Sequence, residues 1–318
     1  MDLKHQYWLE ENKSFHLRFY HWLNILDPLL LLASEGEIRN ARDLLSRCDQ
    51  VSANTDKEKK VKQAWNVSLS SVHPDNGSII PLLFRPPAFF PAAAPLVLAT
   101  LLPHTKVFPS FFWQCIFQTY IAGFNLANQN ASVEKSQQSF NHIMLCMGAV
   151  SYTACLSVMP EYLMKRYNLG SPTMQAFCRK FLPAPLLACM SAFNVMVVRS
   201  TESDHGIEVM DKKGNIVGVS KNAGAKAVKE TAISRAALIG TSVAIPSIFM
   251  SFLQRKNVLR SFRAFTPVSY IVTVVAFGLM VPTSFSLFPQ AGKITRDRLE
   301  QDIQLATTES ELYYYRGV

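Results

Sequence analysis

Long stretches without charge constrain this sequence more than any other feature. After Arg85, charged side chains fall in short segments that separate six runs lacking Lys, Arg, Asp and Glu. The runs cover residues 86–105, 107–133, 136–160, 181–198, 236–254 and 264–292. A helix needs about 20 residues to cross a hydrocarbon core about 30 Å thick. Because a charge near the bilayer centre is costly, the pattern predicts an integral membrane protein rather than a soluble protein with buried helices.

The basic residues support a membrane location and argue against nucleic acid as a partner. The net charge is +9 at pH 7, but the basic side chains flank the apolar runs instead of clustering on a soluble surface. These flanking residues are Arg85, Lys106, Arg179, Lys180, Arg199, Arg235, Arg255, Lys256, Arg263 and Lys293. Long cationic side chains at such positions reach the headgroups, so we expect them at the membrane interfaces.

Charge and proline content predict an all-α fold: an integral membrane helical bundle of about five transmembrane helices. Residues 1–85 form an N-terminal soluble or amphipathic helical region, residues 86–292 the transmembrane region and residues 293–318 a C-terminal tail. The predicted segments within the transmembrane region are runs 86–133, 136–160, 181–198, 236–254 and 264–290, with a hairpin loop at 199–235. Five prolines disfavour a straight helix in 86–105, so 86–133 is counted as one crossing.

Loop charge indicates an orientation. Loop 161–180 has four basic residues against one acid, and loop 254–263 has four basic residues and no acid. Two helices separate these loops, so both face one side, which the positive-inside rule assigns to the cytoplasm or the mitochondrial matrix. With five crossings the N-terminal region shares that side; with six it lies opposite.

Local signals predict the smaller elements. In the N-terminal region, Asp27-Pro28 ends a helix, and Ser34 with Glu37 forms a capping-box signature for the next one. In the loop 199–235, the segment from Gly206 to Gly218 predicts two short strands around a turn. This is the short β-hairpin loop of the predicted fold.

His73-Pro74-Asp75 is the sharpest short motif. It matches the HPD signature of J-domain co-chaperones, but a proline-rich membrane run follows it where that family needs a second soluble helix. The favoured interpretation is a helix stop, in which Pro74 ends the helix and the residues through Gly77 form a turn.

A row of amide side chains marks the run 107–133. Gln114, Gln118 and Asn125 lie on one helical face, and Asn128 lies close to it. Asn194 adds an amide in the run 181–198. Uncharged hydrogen-bonding groups within a membrane either join helices or line a polar substrate path, and the sequence leaves both interpretations open.

No catalytic constellation can be identified, so we predict that the chain is not an enzyme. His104 and His142 lie at run ends without partners at a recognisable spacing. No two cysteines form a C-x-x-C pair, so packing is their expected role, and we expect no metal and no cofactor. The cysteines are Cys48, Cys115, Cys146, Cys155, Cys178 and Cys189.

Several motifs together resemble the sideroflexins, a family of mitochondrial inner-membrane proteins, over nearly the whole chain. In order, they are Asp27-Pro28, His73-Pro74-Asp75-Asn76-Gly77, Trp113-Gln114 with Gln118, Asn125 and Asn128, the loop from Gly206-Ile207 through Asp211, Gly214 and Gly218 to Ser220, Ala244-Ile245-Pro246, and Leu287-Phe288-Pro289-Gln290. Each is weak alone, but their order and spacing are specific together. The details are most similar to a divergent branch of the family.

The resemblance implies a multi-pass protein of the mitochondrial inner membrane with about five crossings and its N-terminal region in the matrix. It also implies amino-acid transport, best known for serine, and links to iron and one-carbon metabolism. His73, Pro74, Asp75 and Gly77 are then family-motif residues. Gln114, Gln118, Asn125, Asn128 and Asn194 become the candidate substrate path.

Departures from the family pattern separate two functional hypotheses. Ser78 replaces the acid that ends the family's HPDTGE motif, and Phe117 and Ile121 stand where transporting members carry asparagines. Each lost partner costs a polar substrate about 1–3 kcal/mol. The first hypothesis is a carrier of a small amino acid that has diverged from serine. The second is a non-transporting scaffold that binds assembly proteins of the respiratory chain (complex I) or of iron–sulfur machinery. Inner-membrane lipid is a partner in both.

Overall fold

The fold is mostly helical, with one small sheet. The computed structural model describes residues 14–47, 55–102, 106–130, 140–167, 181–256 and 262–318. The positions of Cys48, His104 and Cys178, and the central parts of the two basic loops, lie outside the described residues. The helices are α1 (Phe15–Ile25), α2 (Glu35–Arg47), α3 (Thr55–Ser71), α4 (Phe89–Leu101), α5 (Val107–Ala127), α6 (Phe140–Tyr167), α7 (Pro183–Val198), α8 (Ser200–His205), α9 (Lys221–Arg255), α10 (Phe262–Ser286) and α11 (Gln301–Ala306).

The N-terminal helices begin and end where the sequence predicts. Asp27 accepts a hydrogen bond from Leu29 N–H and starts a 3₁₀ turn at Pro28–Leu32. Ser34 and Glu37 form the reciprocal capping box, with Ser34 N–H donating to Glu37 Oε2 at 2.7 Å and Glu37 N–H to Ser34 Oγ at 3.3 Å. These bonds satisfy amide groups that a helix start leaves without partners.

Helix α1 fastens the N-terminal region to one end of the bundle. The ring of Trp22 lies 4.9 Å from that of Phe285, near the end of α10. Arg18 Nε donates to the carbonyl of Ser286 at 2.9 Å. The N-terminal region is therefore a packed part of the protein at the end of α10.

The predicted segment 86–133 contains two described helices, α4 and α5, instead of one. Phe89, at the start of α4, packs against Phe124, near the end of α5, with ring centroids 4.6 Å apart, so the two helices run antiparallel. Pro86 and Pro87 lie in a 3₁₀ turn before α4, where a missing N–H costs little. Only Pro95 lies inside the described helix. The described helix of this proline-rich segment has only 13 residues and is not among the helices long enough to span a membrane.

The count of about five crossings is not confirmed. Among the described residues, three helices are long and apolar enough to span a membrane, at Phe140–Met164, Lys221–Arg255 and Phe265–Ser286. Two shorter apolar helices lie at Pro86–Leu101 and Pro183–Val198. At a rise of 1.5 Å per residue, the 13 residues of α4 extend roughly 20 Å, less than the hydrocarbon thickness.

The antiparallel α4–α5 pair also affects the predicted orientation of the N-terminal region relative to the basic loops. The N-terminal region contacts the end of α10, which is the end where α7 leads into the hairpin. Loops 161–180 and 254–263 connect the helices at the opposite end. The prediction that the N-terminal region shares a side with these basic loops is therefore not confirmed, because it required one crossing in 86–133.

The predicted hairpin is half of a larger sheet. Strands β1 (Ile207–Met210) and β2 (Ile216–Ser220) pair antiparallel, as expected. The segment predicted to be a C-terminal tail supplies β3 (Ala291–Thr295) and β4 (Glu311–Tyr315), and the antiparallel order is β2-β1-β4-β3. Gly292 permits this pairing, since a Cβ there would lie 2.3 Å from the Tyr314 ring.

Aromatic rings form the core where the helices converge. Phe89, Phe124, Phe277 and Phe285 are each at most 1% exposed, and their ring contacts join α4, α5 and α10. Such aromatic pairs contribute about 0.5–1.5 kcal/mol each beyond the area they bury. This cluster forms one wall of the candidate site.

Candidate functional site in the helix bundle

The His73 motif forms a turn that joins two helices. Asp75 N–H donates to His73 Nδ1 at 3.2 Å, so His73 Nε2 carries the proton and donates to the carbonyl of Gln129 at 2.7 Å. Gly77 adopts a positive φ of 67°, which closes the turn. The motif thus holds the end of α3 against the end of α5.

Three of the predicted path residues make hydrogen bonds that hold the bundle together. Asn194 Nδ2 on α7 donates to Gln118 Oε1 on α5 at 3.1 Å. Asn128 Nδ2 donates to the carbonyls of Phe84 and Phe124, each at 2.8 Å. Part of the amide row therefore serves helix packing, as one of the two interpretations proposed.

Other amide oxygens of the predicted path remain unpaired. Gln114 Oε1, Asn125 Oδ1 and Asn194 Oδ1 are buried and accept no hydrogen bond from the residues that the structure describes. The Asn125 side chain is fully buried and uses its Nδ2 on the carbonyl of Ile121, at 2.8 Å. An unsatisfied buried polar group costs about 1–3 kcal/mol, so these oxygens favour a ligand that donates hydrogen bonds.

Arg235 places a buried cation in the same part of the bundle. It lies on α9 and is 2% exposed, and its guanidinium stacks 4.2 Å from the ring centroid of Phe285. Its Nε and Nη2 find no acceptor among the described residues. The expectation that Arg235 reaches a membrane interface is wrong, since aromatic rings enclose it and stabilise its charge.

Three contacts bring α5, α7 and α9 together around Arg235. Asn194 bonds Gln118, and one turn earlier on α7 Ser191 Oγ donates to the Arg235 carbonyl at 3.5 Å. The Arg235 guanidinium lies 5.6 Å from the ring centroid of Phe124, the neighbour of Asn125. The unpaired oxygens of Asn125 and Asn194 therefore lie within about two helical turns of the unpaired Arg235 donors, whereas Gln114 lies about 16 Å from Asn125 along α5.

A buried ion pair closes the bundle beside these groups. Arg199 donates to both Glu202 oxygens, from Nε at 2.6 Å and from Nη2 at 2.9 Å. Its Nη1 donates to Thr231 Oγ1 at 3.0 Å, one turn before Arg235 on α9. Arg199 is fully buried, so its side chain does not reach the headgroups as predicted. In the sequence, Glu202 stands three residues after Arg199, and this spacing indicates that the two side chains can pair.

Arg316 links the sheet to the same end of the bundle. Its Nη2 donates to the carbonyl of Phe285 at 3.1 Å and to Gln290 Oε1 at 3.3 Å, while its own carbonyl accepts from Arg199. Burial lowers the pKa of Arg316 to about 10. No sequence pattern predicts this position, because Arg316 reaches the bundle only through the pairing of β4 with β1.

Comparison with known proteins identifies the family. The family model for sideroflexins matches residues 2–318. The chain belongs to the sideroflexin family. It is 46% identical to sideroflexin-4 of Danio rerio over the full length of both chains. It is 39% identical to human sideroflexin-4, covering 98% of this chain and 91% of the relative, and 33% identical to human sideroflexin-5, covering 97% and 91%. No solved structure matches.

Two apolar side chains of α5 lie in the interior of this sideroflexin. Phe117 is 5% exposed and Ile121 is 2% exposed, and both pack in the aromatic core cluster. They face the bundle interior, so asparagines at these positions would add hydrogen-bonding groups there. The candidate site consequently has amide oxygens, one guanidinium and an apolar wall.

Proposed function

We propose that this sideroflexin is a mitochondrial inner-membrane carrier of a small zwitterionic amino acid, diverged from serine. One observation carries the proposal: unpaired acceptors and unpaired donors are buried in the interior of the bundle, within about two helical turns of each other. Asn125 and Asn194 offer amide oxygens, Arg235 offers two N–H positions, and the unpaired oxygen of Gln114 lies further along α5. The ammonium and carboxylate of an amino acid complement these two sets.

The geometry of the donors favours a carboxylate. Arginine binds carboxylates through parallel N–H groups, and such charge-assisted bonds are roughly twice as strong as neutral ones. The rings of Phe89, Phe124 and Phe285 exclude water from Arg235, which strengthens its attraction for an anion. Amide oxygens in turn accept hydrogen bonds from an ammonium without adding a buried charge.

The apolar wall supports divergence from serine. With Phe117 and Ile121 in the interior, a substrate hydroxyl beside them would lose its water without gaining a partner. Such a loss costs about 1–3 kcal/mol, or roughly 5- to 150-fold in relative affinity. We therefore expect a preference for amino acids with small apolar side chains over serine.

The proposal also includes the membrane in which the protein lies and its orientation in that membrane. The mitochondrial inner membrane follows from the family resemblance. Lys106 and the loops 161–180 and 254–263, which lie at one end of the bundle, carry nine basic residues and one acid. The positive-inside rule favours the matrix for this end. The N-terminal region would then face the intermembrane space, the reverse of the expectation from the resemblance.

Uptake by proteoliposomes tests the proposal. Wild-type protein should accumulate labelled alanine or glycine faster than serine, and Arg235→Lys should reduce uptake at least about tenfold, since lysine lacks the guanidinium fork. Thr283→Val is the matched control, because that hydroxyl bonds the Leu279 carbonyl on the outer part of α10. No uptake of any small amino acid by folded wild-type protein would contradict a carrier.

A non-transporting scaffold is the second candidate function, and a different observation supports it. Leu29 and Leu32 are 70% and 80% exposed on the N-terminal region, which Arg18 fastens to the bundle. Exposed leucines on a rigidly held surface suit a protein partner. Purification from mitochondria should then recover a defined complex I or iron–sulfur assembly intermediate. Leu29→Ser with Leu32→Ser should abolish that recovery and leave uptake unchanged.

A further inference from the structure

A groove opens on the N-terminal region, between the 3₁₀ turn Pro28–Leu32 and the helices α2 and α3. Its volume is about 790 Å³. The α2 wall is the helical stripe from Glu37 to Leu44, and the α3 wall runs from Lys59 to Val67. Each wall is about 10–12 Å long, which is the length of two turns of a helix. The groove therefore has the dimensions of a site for a short helix.

The apolar side chains of the groove are open to solvent. Leu29 and Leu32 are 70% and 80% exposed, and Leu44 is 37% exposed. Ala41 on α2 and Val67 on α3, both half-buried, extend this surface along the two walls. Exposed apolar side chains that line a concave surface favour a binding role, since covering them removes apolar area from water.

Positive charge lies along the α3 side of the groove. Lys59, Lys60 and Lys62 line it and are exposed. The two carboxylates of the lining, on Asp27 and Glu37, accept hydrogen bonds at the starts of the 3₁₀ turn and of α2. The lysines are therefore the charges available to a ligand, so the groove attracts an acidic partner.

One buried polar atom of the lining favours a peptide over a bilayer surface. Asn66 Oδ1 on α3 is buried and accepts no hydrogen bond from the residues that the structure describes. Asn24 and Gln63 add amide groups to the same lining. A peptide has N–H and O–H groups that can donate to such oxygens, whereas the acyl chains of a membrane have none.

We infer that the groove binds an acidic amphipathic helix of a partner protein, with its apolar face on the leucines and its carboxylates against the lysines. Such helices place apolar anchors at i, i+3, i+4 and i+7 in a hydrophobic groove, and charges on either side fix their register. The inference rests on the scaffold candidate and adds the chemistry of its partner.

Binding of a designed peptide to the full-length protein in phosphatidylcholine nanodiscs tests the groove. The probe is a fluorescein-labelled helical peptide of about 15 residues, with leucines at i, i+3, i+4 and i+7 and glutamates on both flanks. A matched peptide with lysines in place of the glutamates should bind at least about tenfold more weakly. Fluorescence anisotropy measures the affinity of both peptides.

Paired variants of the protein test the residues of the groove. Leu29→Ser with Leu32→Ser, and separately Lys59→Glu with Lys62→Glu, should each weaken binding of the acidic peptide about tenfold or more. The substituted side chains are exposed, so these variants should keep the Tm of the wild type. Leu305→Ser is the matched control, because Leu305 is 86% exposed on α11, outside the groove.

Four results would overturn the inference. Equal binding of the acidic and basic peptides would contradict charge recognition, and equal binding of the acidic peptide to empty nanodiscs would assign it to lipid. A dimer that dissociates on Leu29→Ser with Leu32→Ser would assign the groove to a second copy. Recovery of an assembly complex from mitochondria without binding of the acidic peptide would keep the scaffold and contradict the acidic helix. The leucine variant should still take up alanine, so failure of the carrier proposal gives a different result.

Discussion

Replacing Glu202 by Gln should lower the free energy of unfolding by about 3–5 kcal/mol, the usual cost of breaking a buried ion pair. The carboxylate accepts two bonds from Arg199, at 2.6 and 2.9 Å, and two from Asn130, at 3.2 and 2.9 Å. Glutamine keeps the shape but turns one acceptor into a donor that faces other donors. It also leaves the fully buried Arg199 without its carboxylate partner.

Thermal unfolding in detergent micelles measures this effect. A loss of that size corresponds to a fall in Tm of roughly 5–7 °C for a chain of this length. Glu311→Gln is the matched control, because Glu311 pairs with Lys293 at 3.5 Å while both side chains are about half exposed. Exposed pairs contribute at most about 1 kcal/mol. If the Glu202→Gln and Glu311→Gln variants have the same Tm, the buried pair does not stabilise the fold as argued.

Three further predictions follow from particular contacts. Phe117→Asn with Ile121→Asn should lower the free energy of unfolding by more than about 3 kcal/mol, because both side chains fill the aromatic core; an unchanged Tm would place them outside it. Burial, reinforced by Lys62, lowers the pKa of His21 from 6.5 to about 4. The unfolded chain therefore binds the proton more readily, and up to about 3 kcal/mol of stability is lost as pH falls from 6.5 towards 4. His21→Gln should remove that pH dependence of Tm. Since α1 and β4 contact the same end of the bundle, protease protection of tags at the two termini should give the same side, and opposite sides would contradict the α4–α5 hairpin.

Local features of the fold could be predicted from the sequence. Caps such as Ser34 with Glu37, and the strands on either side of the Asp211 turn, depend on neighbours within a few residues. Charge-free runs likewise predicted the apolar helices, because lipid exposure acts on each helix separately. The prolines of 86–105 predicted a poor spanning helix, and α4 is short, but they did not predict that Pro86 and Pro87 lie in a 3₁₀ turn before it.

Long-range contacts account for what the sequence could not supply. Arg235 has the same sequence context as an interfacial arginine, and only the convergence of α4, α5 and α10 surrounds it with aromatic rings. Arg316 reaches the bundle through a sheet whose strands are about 100 residues apart in sequence. The amide row was visible in the sequence, but which oxygens are left unpaired depends on how α5 and α7 pack.

The end-group specificity of ligand binding tests the central claim most directly. The candidate site offers acceptors from α5 and α7 and donors from Arg235, so it should require both an ammonium and a carboxylate. Thermal stabilisation of the purified protein would be compared for alanine, alaninamide and N-acetylalanine. Stabilisation by alanine, with neither blocked form effective, is the predicted result. Equal stabilisation by the blocked forms, or none by any amino acid, would contradict the account.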